Sequence, residues 1–525
     1  MANVIRQELI VESDNINISS SKDKKKVLIF VVCYNAEKSI ESVLDRIPDD
    51  IWKNNQFSTE VLIIDDQSPD STFYKAKAYS SSHPEQNVTV LYNPRNRGYG
   101  GNQKIGYWYA IKKGFDVVVL LHGDGQYAPE YLGQMISPIL DGAADVVFGS
   151  RMIRRQDALK GGMPLYKWAG NQILTFIQNK IIGSKLSEFH SGYRAYSIKS
   201  LSQVPFEYNS DYFDFDTDII VQLVDTGNQI KEIPIPTFYG DEICRVNGLL
   251  YAIRIVWSCL LSRAIKLGIY YHPKFDYIKD SNEYYHGKFG YPSSHQFALD
   301  HVLPGSRVID VGCGPGFMCE KLKEKDVTLV SIDKQIQPKV REKSWKSIEV
   351  DVEAYNFGED FGKVNYIMLL DIIEHLKSPE RLLKVLRQRF SKDNPDILIT
   401  TGNIGFFPIR ISLLFSKFHY GKRGILDMDH CRLFTFSSLC KTLEINGYKV
   451  FKKKGIPAPF PLAFGDGVFA RLCLFINRIL ILLSKSLFSY QIAVIAKPLP
   501  TLEHLLEDAH EAKDNKLETF VPKED

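Results

Sequence analysis

The chain has 525 residues, a formal net charge of +3 and a globular composition, with 44% hydrophobic and 24% charged residues. This length predicts more than one domain, and the small net charge gives no reason to expect nucleic acid as a partner. The eight cysteines form no CxxC pair and no metal-ligand spacing. Without a secretory leader, they indicate reduced thiols and a cytoplasmic protein.

Two long apolar segments are the candidates for membrane contact. Residues 249–271 and 468–490 each carry three Arg or Lys residues, and no uninterrupted apolar run reaches the length of a membrane span. The first segment fits a helix on an anionic bilayer surface as well as a helix packed on the protein core. The second precedes a strand-like run, which favours core packing. A peripheral position at the inner face of a membrane therefore stays open.

In chain order, residues 1–26 are polar and end in a lysine-rich patch, so we predict a disordered lead-in. Strands are predicted at 27–33, 60–64, 88–92 and 117–121, with helical stretches among them. This alternation is typical of a doubly wound α/β domain with a parallel sheet. Ligands bind at the carboxyl ends of such strands, so the residues that follow each strand are the candidate site.

The fourth strand ends in the turn His122-Gly123-Asp124-Gly125-Gln126. A carboxylate between two glycines can approach a metal ion held by a diphosphate, and Mg²⁺ or Mn²⁺ takes oxygen ligands together with substrate phosphates. Asp124 is therefore the predicted metal ligand. The alternative is a β-turn that only caps a buried strand.

Two further strand ends carry groups that suit a nucleotide. Asp65 and Asp66 can accept N–H and O–H bonds from a base or a ribose, although acids here also cap helices and turns. Gly98, Gly100 and Gly101 lie in a loop after the third strand. Glycine allows a backbone to approach a ligand closely.

Eight short motifs follow one another through this half of the chain: Tyr34-Asn35-Ala36-Glu37, Asp65-Asp66-Gln67-Ser68-Pro69-Asp70, Asn96-x-Gly98-x-Gly100, Asp124-Gly125-Gln126, Gly149-Ser150-Arg151, Ser191-Gly192-Tyr193-Arg194, Phe213-Asp214-Phe215-Asp216 and Ile233-Pro234-Ile235-Pro236. With this set, residues 25–270 resemble the GT-A glycosyltransferases of family 2. The branch they resemble most is the polyprenyl-phosphate sugar synthases, such as dolichyl-phosphate mannose synthase. The resemblance implies a nucleotide-sugar donor, a divalent cation and inverting displacement at the anomeric carbon.

The resemblance also implies four groups of site residues. The residues expected to contact the donor are Tyr34, Asp65, Asp66, Gly98 and Arg151. The expected metal ligands are His122, Asp124 and Gln126. The arginines expected to meet phosphates are Arg151, Arg194 and Arg245, each with a surface ion pair as the alternative. Asp124 and Arg194 are the residues expected to act in catalysis.

One residue departs from the family pattern. His122 stands where the family usually has an aspartate. Histidine binds Mn²⁺, whereas Mg²⁺ sites favour oxygen ligands, so the choice between the two metals stays open. A contact between His122 and the sugar is the alternative role.

The acceptor decides whether a base is needed. A polyprenyl phosphate is already anionic and needs no strong base, whereas a sugar hydroxyl needs one. Four aspartates in one short stretch are candidates for that base: Asp211, Asp214, Asp216 and Asp218. The alternative is that Asp216 and Asp218 cap a helix over 219–225.

The second half of the chain begins with a strand at 307–311 and the turn Gly312-Cys313-Gly314-Pro315-Gly316, and later strands end at Asp333, Asp351 and Asp371. A dinucleotide-binding domain is the competing interpretation. Two features favour S-adenosylmethionine instead. The glycines are spaced G-x-G-x-G, and Asp310 lies two residues before the first of them, where a carboxylate can reach an ammonium group.

With these features, residues 280–498 resemble the class I S-adenosylmethionine-dependent methyltransferases, which have a Rossmann-like fold. The resemblance implies that Gly312, Gly314 and Gly316 approach the cofactor. It places Asp333 at the ribose hydroxyls, Asp351 at the adenine and Asp371 near the methionine. A base helps if the methyl acceptor is a hydroxyl, and the candidates are His375 and His430, with a structural role as the alternative.

The predicted fold class is α/β, with two doubly wound domains. We predict a glycosyltransferase domain at 27–270, a linker at 271–293, a methyltransferase domain at 294–498 and a mobile tail at 499–525. Residues 398–430 look like an insertion whose aromatic and basic residues fit an acceptor pocket or a lipid-facing cover.

The predicted function is that of a bifunctional enzyme. One domain transfers sugar from a nucleotide-sugar, with a polyprenyl phosphate as the expected acceptor. The other methylates, and the glycan or glycolipid product is the expected substrate. The alternatives are transfer to a saccharide hydroxyl in surface polysaccharide assembly, and a non-catalytic binding module in one half.

Overall fold

The computed structural model describes residues 24–236, 247–277 and 287–518. The chain divides into two compact units, one made of residues up to 180 and 184–256, the other of 181–183 and from 257 onward. Most of the predicted lead-in, Arg245 and part of the predicted linker lie outside the described residues. The predicted domain boundaries themselves stay a prediction.

The first unit is built on a seven-stranded sheet. Its strands are β1 (Lys25–Cys33), β2 (Phe57–Asp65), β3 (Val88–Tyr92), β4 (Val117–His122), β5 (Val146–Ser150), β6 (Arg194–Ser197) and β7 (Ile230–Pro234). Their order across the sheet is β3-β2-β1-β4-β6-β5-β7. Only β6 runs antiparallel to its neighbours, so the sheet is mixed, whereas we predicted a parallel one.

The helices of this unit are α1 (Ile40–Asp45), α2 (Asp49–Trp52), α3 (Thr72–Ser82), α4 (Tyr99–Lys112), α5 (Leu132–Leu140), α6 (Arg155–Lys160), α7 (Leu165–Ile182), α8 (Ile198–Gln203) and α9 (Phe215–Asp225). A further helix, α10 (Gly248–Lys266), begins in this unit and continues past residue 256 into the second. Short 3₁₀ turns lie at Pro129–Tyr131 and Phe206–Tyr208. The central strands β1 and β4 are buried along almost their whole length. This burial explains why they are continuous apolar runs without alternation.

The second unit has its own seven-stranded sheet. Its strands are β8 (Arg307–Val311), β9 (Thr328–Asp333), β10 (Lys346–Glu349), β11 (Tyr366–Leu370), β12 (Asp396–Gly402), β13 (Tyr448–Ile456) and β14 (Gln491–Pro498). Their order is β10-β9-β8-β11-β12-β14-β13. β14 runs antiparallel to both β12 and β13, and the other pairs are parallel. The two α/β sheets confirm the predicted fold class.

The helices of the second unit are α11 (Ser294–His301), α12 (Phe317–Lys323), α13 (Pro338–Lys343), α14 (Pro379–Phe390), α15 (Phe407–Leu414), α16 (Phe436–Ile445), α17 (Phe460–Phe464), α18 (Val468–Leu483), α19 (Lys485–Phe488) and α20 (Leu502–Glu518). A 3₁₀ turn lies at Pro273–Phe275. The last helix occupies much of the predicted mobile tail. It is held by contacts of His504 with Ser391 and of Glu507 with Lys392.

The two apolar segments both form helices. Among the described helices, α10 alone is long and apolar enough to cross a membrane, judged by its length and composition. For α18 the predicted core packing is wrong for most of its surface. This helix buries only a narrow stripe, and large apolar side chains on its other faces are exposed.

Candidate active sites

The first candidate site lies at the carboxyl ends of β1, β2 and β4. β1 pairs with both neighbours in registers that place Cys33 beside Asp65 and Val32 beside His122. The acids after β2 and the turn after β4 therefore flank the same strand end. Tyr34, which directly follows β1, is 43% exposed. The structure thus brings the predicted donor-binding and metal-binding residues to one edge of the sheet.

Asp65 is fully buried, and one of its carboxylate oxygens is unpaired. Oδ1 accepts hydrogen bonds from the amide and the hydroxyl group of Ser68, at 3.0 and 2.5 Å. Oδ2 has no hydrogen-bond partner among the described residues. Burial raises the pKa of this carboxyl group. A buried acceptor without a donor is costly, and the predicted contact of Asp65 with a nucleoside stays a prediction.

Asp66 shapes the glycine-rich loop. Its carboxylate accepts hydrogen bonds from the side chain of Asn93 at 2.7 Å and from the amides of Arg97 and Gly98 at 2.8 and 2.9 Å. A Cβ at Gly98 would lie 2.6 Å from the carbonyl oxygen of Asp211. Glycine here permits close approach to the protein backbone, whereas we predicted approach to a ligand. The nucleoside contact of Asp66 stays a prediction.

Asp124 lies exposed in the turn after β4. Its Oδ1 accepts a hydrogen bond from the amide of Gln126 at 3.0 Å, which fixes the turn. In the part of the chain that the structure describes, no three His, Cys, Asp or Glu side chains are grouped to hold a metal ion. A cation at Asp124 would therefore take further ligands from a diphosphate, water and the neighbouring His122 or Gln126. Such a mixed ligand set is usual for Mg²⁺ at phosphate sites.

The hydroxyl group of Tyr99 lies 3.2 Å from both His122 Nε2 and Asp216 Oδ2. A hydroxyl has one hydrogen to donate, and a carboxylate only accepts. Tyr99 therefore donates to Asp216, and His122 donates from Nε2 to Tyr99. Burial lowers the pKa of His122, which keeps its ring neutral. The ring nitrogen Nδ1 then carries the lone pair that a metal ion needs.

The link through Tyr99 was not predicted. The available signal was an aromatic hydroxyl group between two glycines of the loop. Asp216 is the centre of this network, because it also accepts a hydrogen bond from Gln103 at 3.3 Å and lies 3.6 Å from Arg194. Both oxygens of Asp216 are thus engaged within the protein.

Two of the three predicted phosphate-binding arginines, Arg151 and Arg194, are buried. The Arg151 Nε lies 3.0 Å from Glu188 Oε1, and its Nη2 donates to the carbonyl oxygen of His190 at 2.9 Å. Arg194 donates to three backbone carbonyl oxygens at 2.8 to 3.1 Å. Burial alone would raise the pKa of Glu188, but Arg151 lowers it. These contacts place both arginines in the support of the site, and their predicted phosphate contacts stay predictions.

The second candidate site lies at the carboxyl ends of β8, β9 and β11. Packing requires glycine at two positions of the turn after β8. A Cβ at Gly312 would lie 2.7 Å from Ile372 Cδ1, and one at Gly316 would lie 2.4 Å from Val340 Cγ2. A Cβ at Gly314 would meet no atom within 4 Å. The space beside Gly314 is therefore open to a ligand.

The predicted ribose-binding acid lies against this turn. Asp333 Oδ2 accepts a hydrogen bond from the amide of Gly314 at 2.8 Å. Asp310 is 3% exposed, and burial together with the nearby Asp333 raises its pKa to about 7. A cationic ligand would favour the charged form of Asp310. Asp351, the predicted adenine contact, is exposed just beyond β10.

Asp371 holds several elements together. Its carboxylate accepts hydrogen bonds from Ser294 at 2.9 Å, Thr400 at 2.8 Å and Gln491 at 2.9 Å. Burial alone would raise the pKa of Asp371, but Lys288 and the hydrogen bonds from Thr400 and Ser294 lower it. The partners come from α11, β12 and β14, so Asp371 positions α11 against the sheet. Its predicted contact near the methionine stays a prediction.

The two candidate bases lie together. The rings of His375 and His430 are 4.7 Å apart and nearly perpendicular. Each Nδ1 contacts a backbone carbonyl oxygen, at 3.2 Å for His375 and 3.0 Å for His430. Because a carbonyl only accepts, each Nδ1 carries the hydrogen, and Nε2 carries the lone pair. Burial lowers the pKa of His430, so this ring is neutral and suited to accept a proton.

Glu374 was not predicted, although it directly precedes His375. It is buried, and its Oε2 has no hydrogen-bond partner among the described residues. Burial and the neighbouring Asp371 raise its pKa to about 8. The second site therefore holds, next to the histidine pair, a carboxyl group whose pKa lies above its usual range.

Family models match both units. The model for glycosyl transferase family 2 matches residues 28–204, and a methyltransferase domain model matches residues 288–453. The chain joins a family 2 glycosyltransferase domain to a methyltransferase domain. Both predicted resemblances are thereby confirmed.

Curated relatives match just under half of the chain. UDP-N-acetylglucosamine–dolichyl-phosphate N-acetylglucosaminyltransferase of Methanococcus voltae is 26% identical over 46% of this chain and 97% of its own length. Undecaprenyl-phosphate mannosyltransferase of Micrococcus luteus is 28% identical over 42% of this chain and 85% of its own length. An uncharacterised protein of Methanocaldococcus jannaschii is 27% identical over 48% of this chain and 98% of its own length.

In the glycosyltransferase domain, Arg194→Met is expected to act mainly on stability. The substitution leaves three buried carbonyl oxygens and Asp216 without their cation, which should cost about 3 kcal/mol or more. The measurement is the free energy of unfolding in urea, followed by donor KM at a permissive temperature. Arg254→Met, at a half-exposed arginine 4.0 Å from Asp214, is the control. Normal stability with a raised donor KM would instead support direct phosphate contact.

In the methyltransferase domain, Asp310→Asn is expected to change how stability depends on pH. The pKa of Asp310 is raised from 3.8 to about 7 in the folded protein, so the wild type loses stability as pH rises through that interval. The asparagine variant does not titrate. Relative to wild type, it should gain about 2–3 kcal/mol between pH 5 and pH 8, measured by denaturant unfolding. Asp300→Asn, at an exposed acid, is the control. If Asp310→Asn gained no more stability between pH 5 and pH 8 than Asp300→Asn does, the raised pKa of Asp310 would be contradicted.

Proposed function

We propose that the glycosyltransferase domain transfers a sugar from a nucleotide-sugar to a polyprenyl phosphate, with inversion at the anomeric carbon. One observation carries the proposal. The exposed carboxylate of Asp124 and the neutral ring of His122 lie at the end of β4, across β1 from the unpaired oxygen of Asp65. This arrangement offers a cation site and a base-binding acceptor at one sheet edge. Two of the relatives named above are transferases named for dolichyl or undecaprenyl phosphate.

The surroundings of the aspartates favour a phosphate acceptor. Asp216 is engaged on both oxygens, Asp211 forms an ion pair with Lys104 at 2.7 Å, and the other two candidates contact Arg254 and the amide of Ser210. A hydroxyl acceptor would need one of these groups as a free base, whereas a phosphate acceptor needs none. A bound Mg²⁺ or Mn²⁺ would supply charge neutralisation for the leaving diphosphate.

The helix α10 suits an acceptor that lies in a bilayer. Leu249, Ile253 and Trp257 are exposed on it, and Arg254 lies among them. We propose that this apolar and basic helix makes a peripheral contact with the membrane that holds the lipid phosphate.

The methyltransferase domain is proposed to methylate the sugar product from S-adenosylmethionine. Gly314 and Asp333 lie beside the open space at the end of β8, and Asp310 is buried within that strand. These residues suit a ligand with ribose hydroxyls and a cationic group. Bound S-adenosylmethionine would supply an activated methyl group on its sulfonium and would be released as S-adenosylhomocysteine. His375 or His430 would accept the proton of the acceptor hydroxyl at Nε2.

The experiment for sugar transfer measures nucleotide release by the purified chain. UDP-, GDP- and dTDP-sugars are supplied with Mg²⁺ or Mn²⁺, with and without a polyprenyl phosphate. We expect release from one donor that depends on both the lipid and the cation. Release with a saccharide acceptor alone would refute the lipid acceptor. Release with neither acceptor class would leave the domain as a binding module.

A further inference from the structure

The helix α18 of the methyltransferase unit is fixed to the protein along one narrow stripe. Ala470, Leu474, Asn477 and Ile481 are its buried residues. Asn477 anchors the helix, because its Oδ1 accepts a hydrogen bond from the amide of Ala458 at 3.0 Å and its Nδ2 donates to a carbonyl oxygen at 2.9 Å. The orientation of α18 about its own axis is therefore defined.

The opposite face of α18 is apolar and exposed. Val468 is 86% exposed, Phe475 59%, Leu482 82% and Leu483 76%. A helix on the surface of a globular protein normally presents polar residues there. The buried stripe and the exposed face of α18 are therefore both apolar. A large exposed apolar face of this kind marks an interaction site.

The apolar surface extends to α15. Leu414 and Phe415, at the end of α15, are 75% and 68% exposed. The ring of Phe407 on α15 lies 5.9 Å from that of Phe488 on α19, and α19 follows α18 directly. This contact places the start of α15 beside the helix that follows α18, and we call the exposed apolar faces of α15 and α18 together the apolar ledge.

The charged residues within the two helices of the apolar ledge are all basic. They are Arg410 on α15 and Arg471 and Arg478 on α18, and the acid Asp466 precedes α18 by two residues. Arg471 and Arg478 are seven residues apart, so they share one flank of α18 beside its outermost apolar row. Long basic side chains at such a flank can reach the headgroup layer while their apolar neighbours enter the acyl region.

We propose that the apolar ledge docks the methyltransferase unit on an anionic lipid bilayer, with α15 and α18 lying in the plane of the interface. Charge complementarity selects this occupant. A second copy of the chain would place the same basic flanks opposite each other across a two-fold axis, whereas anionic headgroups neutralise them. The proposal is independent of sugar transfer, since it rests on the second unit alone.

The test is co-sedimentation of the full chain with phosphatidylcholine vesicles, with and without phosphatidylglycerol. The double variant Phe475→Gln/Ile479→Gln removes apolar contacts from the ledge and should weaken binding to the anionic vesicles at least about tenfold. Ile445→Gln is the matched control, because Ile445 is also exposed, at 73%, but lies on α16. Arg471→Gln/Arg478→Gln should weaken binding to the anionic vesicles and reduce its sensitivity to salt.

Binding of S-adenosylmethionine by each variant checks that the unit remains folded. Unchanged vesicle binding by the double apolar variant would overturn the proposal, as would a chain that binds no vesicle. The proposal would also be overturned if sedimentation velocity showed that the wild type is a dimer, and if the double apolar variant were monomeric but bound vesicles as the wild type does. Nucleotide release, measured in parallel, separates a failure of this proposal from a failure of the proposed sugar transfer.

Discussion

Replacing Asp124 with asparagine is expected to lower the rate of sugar transfer at least about 100-fold, because the variant loses a charge that faces the cation and the leaving diphosphate. Asp124 is exposed, and its Oδ1 accepts a hydrogen bond from the amide of Gln126 within its own turn. The free energy of unfolding should therefore change by no more than about 0.5 kcal/mol. Initial rates of nucleotide release at saturating donor measure the effect.

The control for this variant is Asp141→Asn, at an acid that ends α5 away from the strand ends. It should leave the rate unchanged. A variant at Asp124 with more than a tenth of the wild-type rate would show that the turn after β4 only caps a strand. Recovery of the lost rate at high Mn²⁺ would instead support a weakened cation site.

Asp333→Ala should weaken the binding of S-adenosylmethionine on the order of 100-fold, because hydrogen bonds to a charged acceptor contribute about 1.5–3 kcal/mol each. The variant removes the proposed acceptor for the ribose hydroxyls and the observed acceptor for the amide of Gly314. Isothermal titration calorimetry gives the dissociation constant. The affinity of Asp333→Asn for S-adenosylmethionine should lie between the affinities of Asp333→Ala and the wild type, because the asparagine side chain retains one acceptor oxygen.

The comparison variant for Asp333 is Asp508→Ala, at an exposed acid of the last helix α20. Its affinity for S-adenosylmethionine should equal that of the wild type. Equal affinity in Asp333→Ala would mean that the ligand does not use the acid after β9. The dinucleotide-binding interpretation places an acid at the same position, so binding of NAD should be measured in the same titrations.

The sequence was sufficient to predict the sheet edges that carry the two sites. Runs such as Val117–Leu121 are apolar at every position because helices cover both faces of the sheet, and such runs end where the chain returns to solvent. Polar or turn-forming residues such as Asp and Gly follow each apolar run, and they mark the carboxyl end of the strand. The place of β6 was not predictable in this way, because Arg194–Ser197 is short and its antiparallel direction depends on the chain that precedes it.

Residue type alone did not distinguish binding from support. Arg194 and Asp371 belong to motifs that suggested ligand contact, but tertiary packing brings carbonyl groups to the first and three side-chain donors to the second. Their partners lie up to 120 residues away in sequence, so no local pattern encodes them. Glu374 and Tyr99 were overlooked for the same reason. Their roles arise from burial and from partners on other elements.

The amphipathic pattern of 468–483 was also ambiguous. A strand follows this helix in the sequence, which favours core packing. The structure shows that Asn477 and three small or aliphatic residues are enough to fix α18, which leaves more apolar side chains than the core accepts.

The most direct test of a two-step enzyme follows the methyl group. The purified chain is incubated with methyl-labelled S-adenosylmethionine, its nucleotide-sugar donor and a polyprenyl phosphate, and the label is traced into the lipid extract. We expect labelled lipid-linked sugar only when donor and lipid are both present, and none with Asp124→Asn or Asp333→Ala. Label that enters an acceptor without the sugar donor, or lipid-linked sugar that forms but is never methylated, would contradict the account.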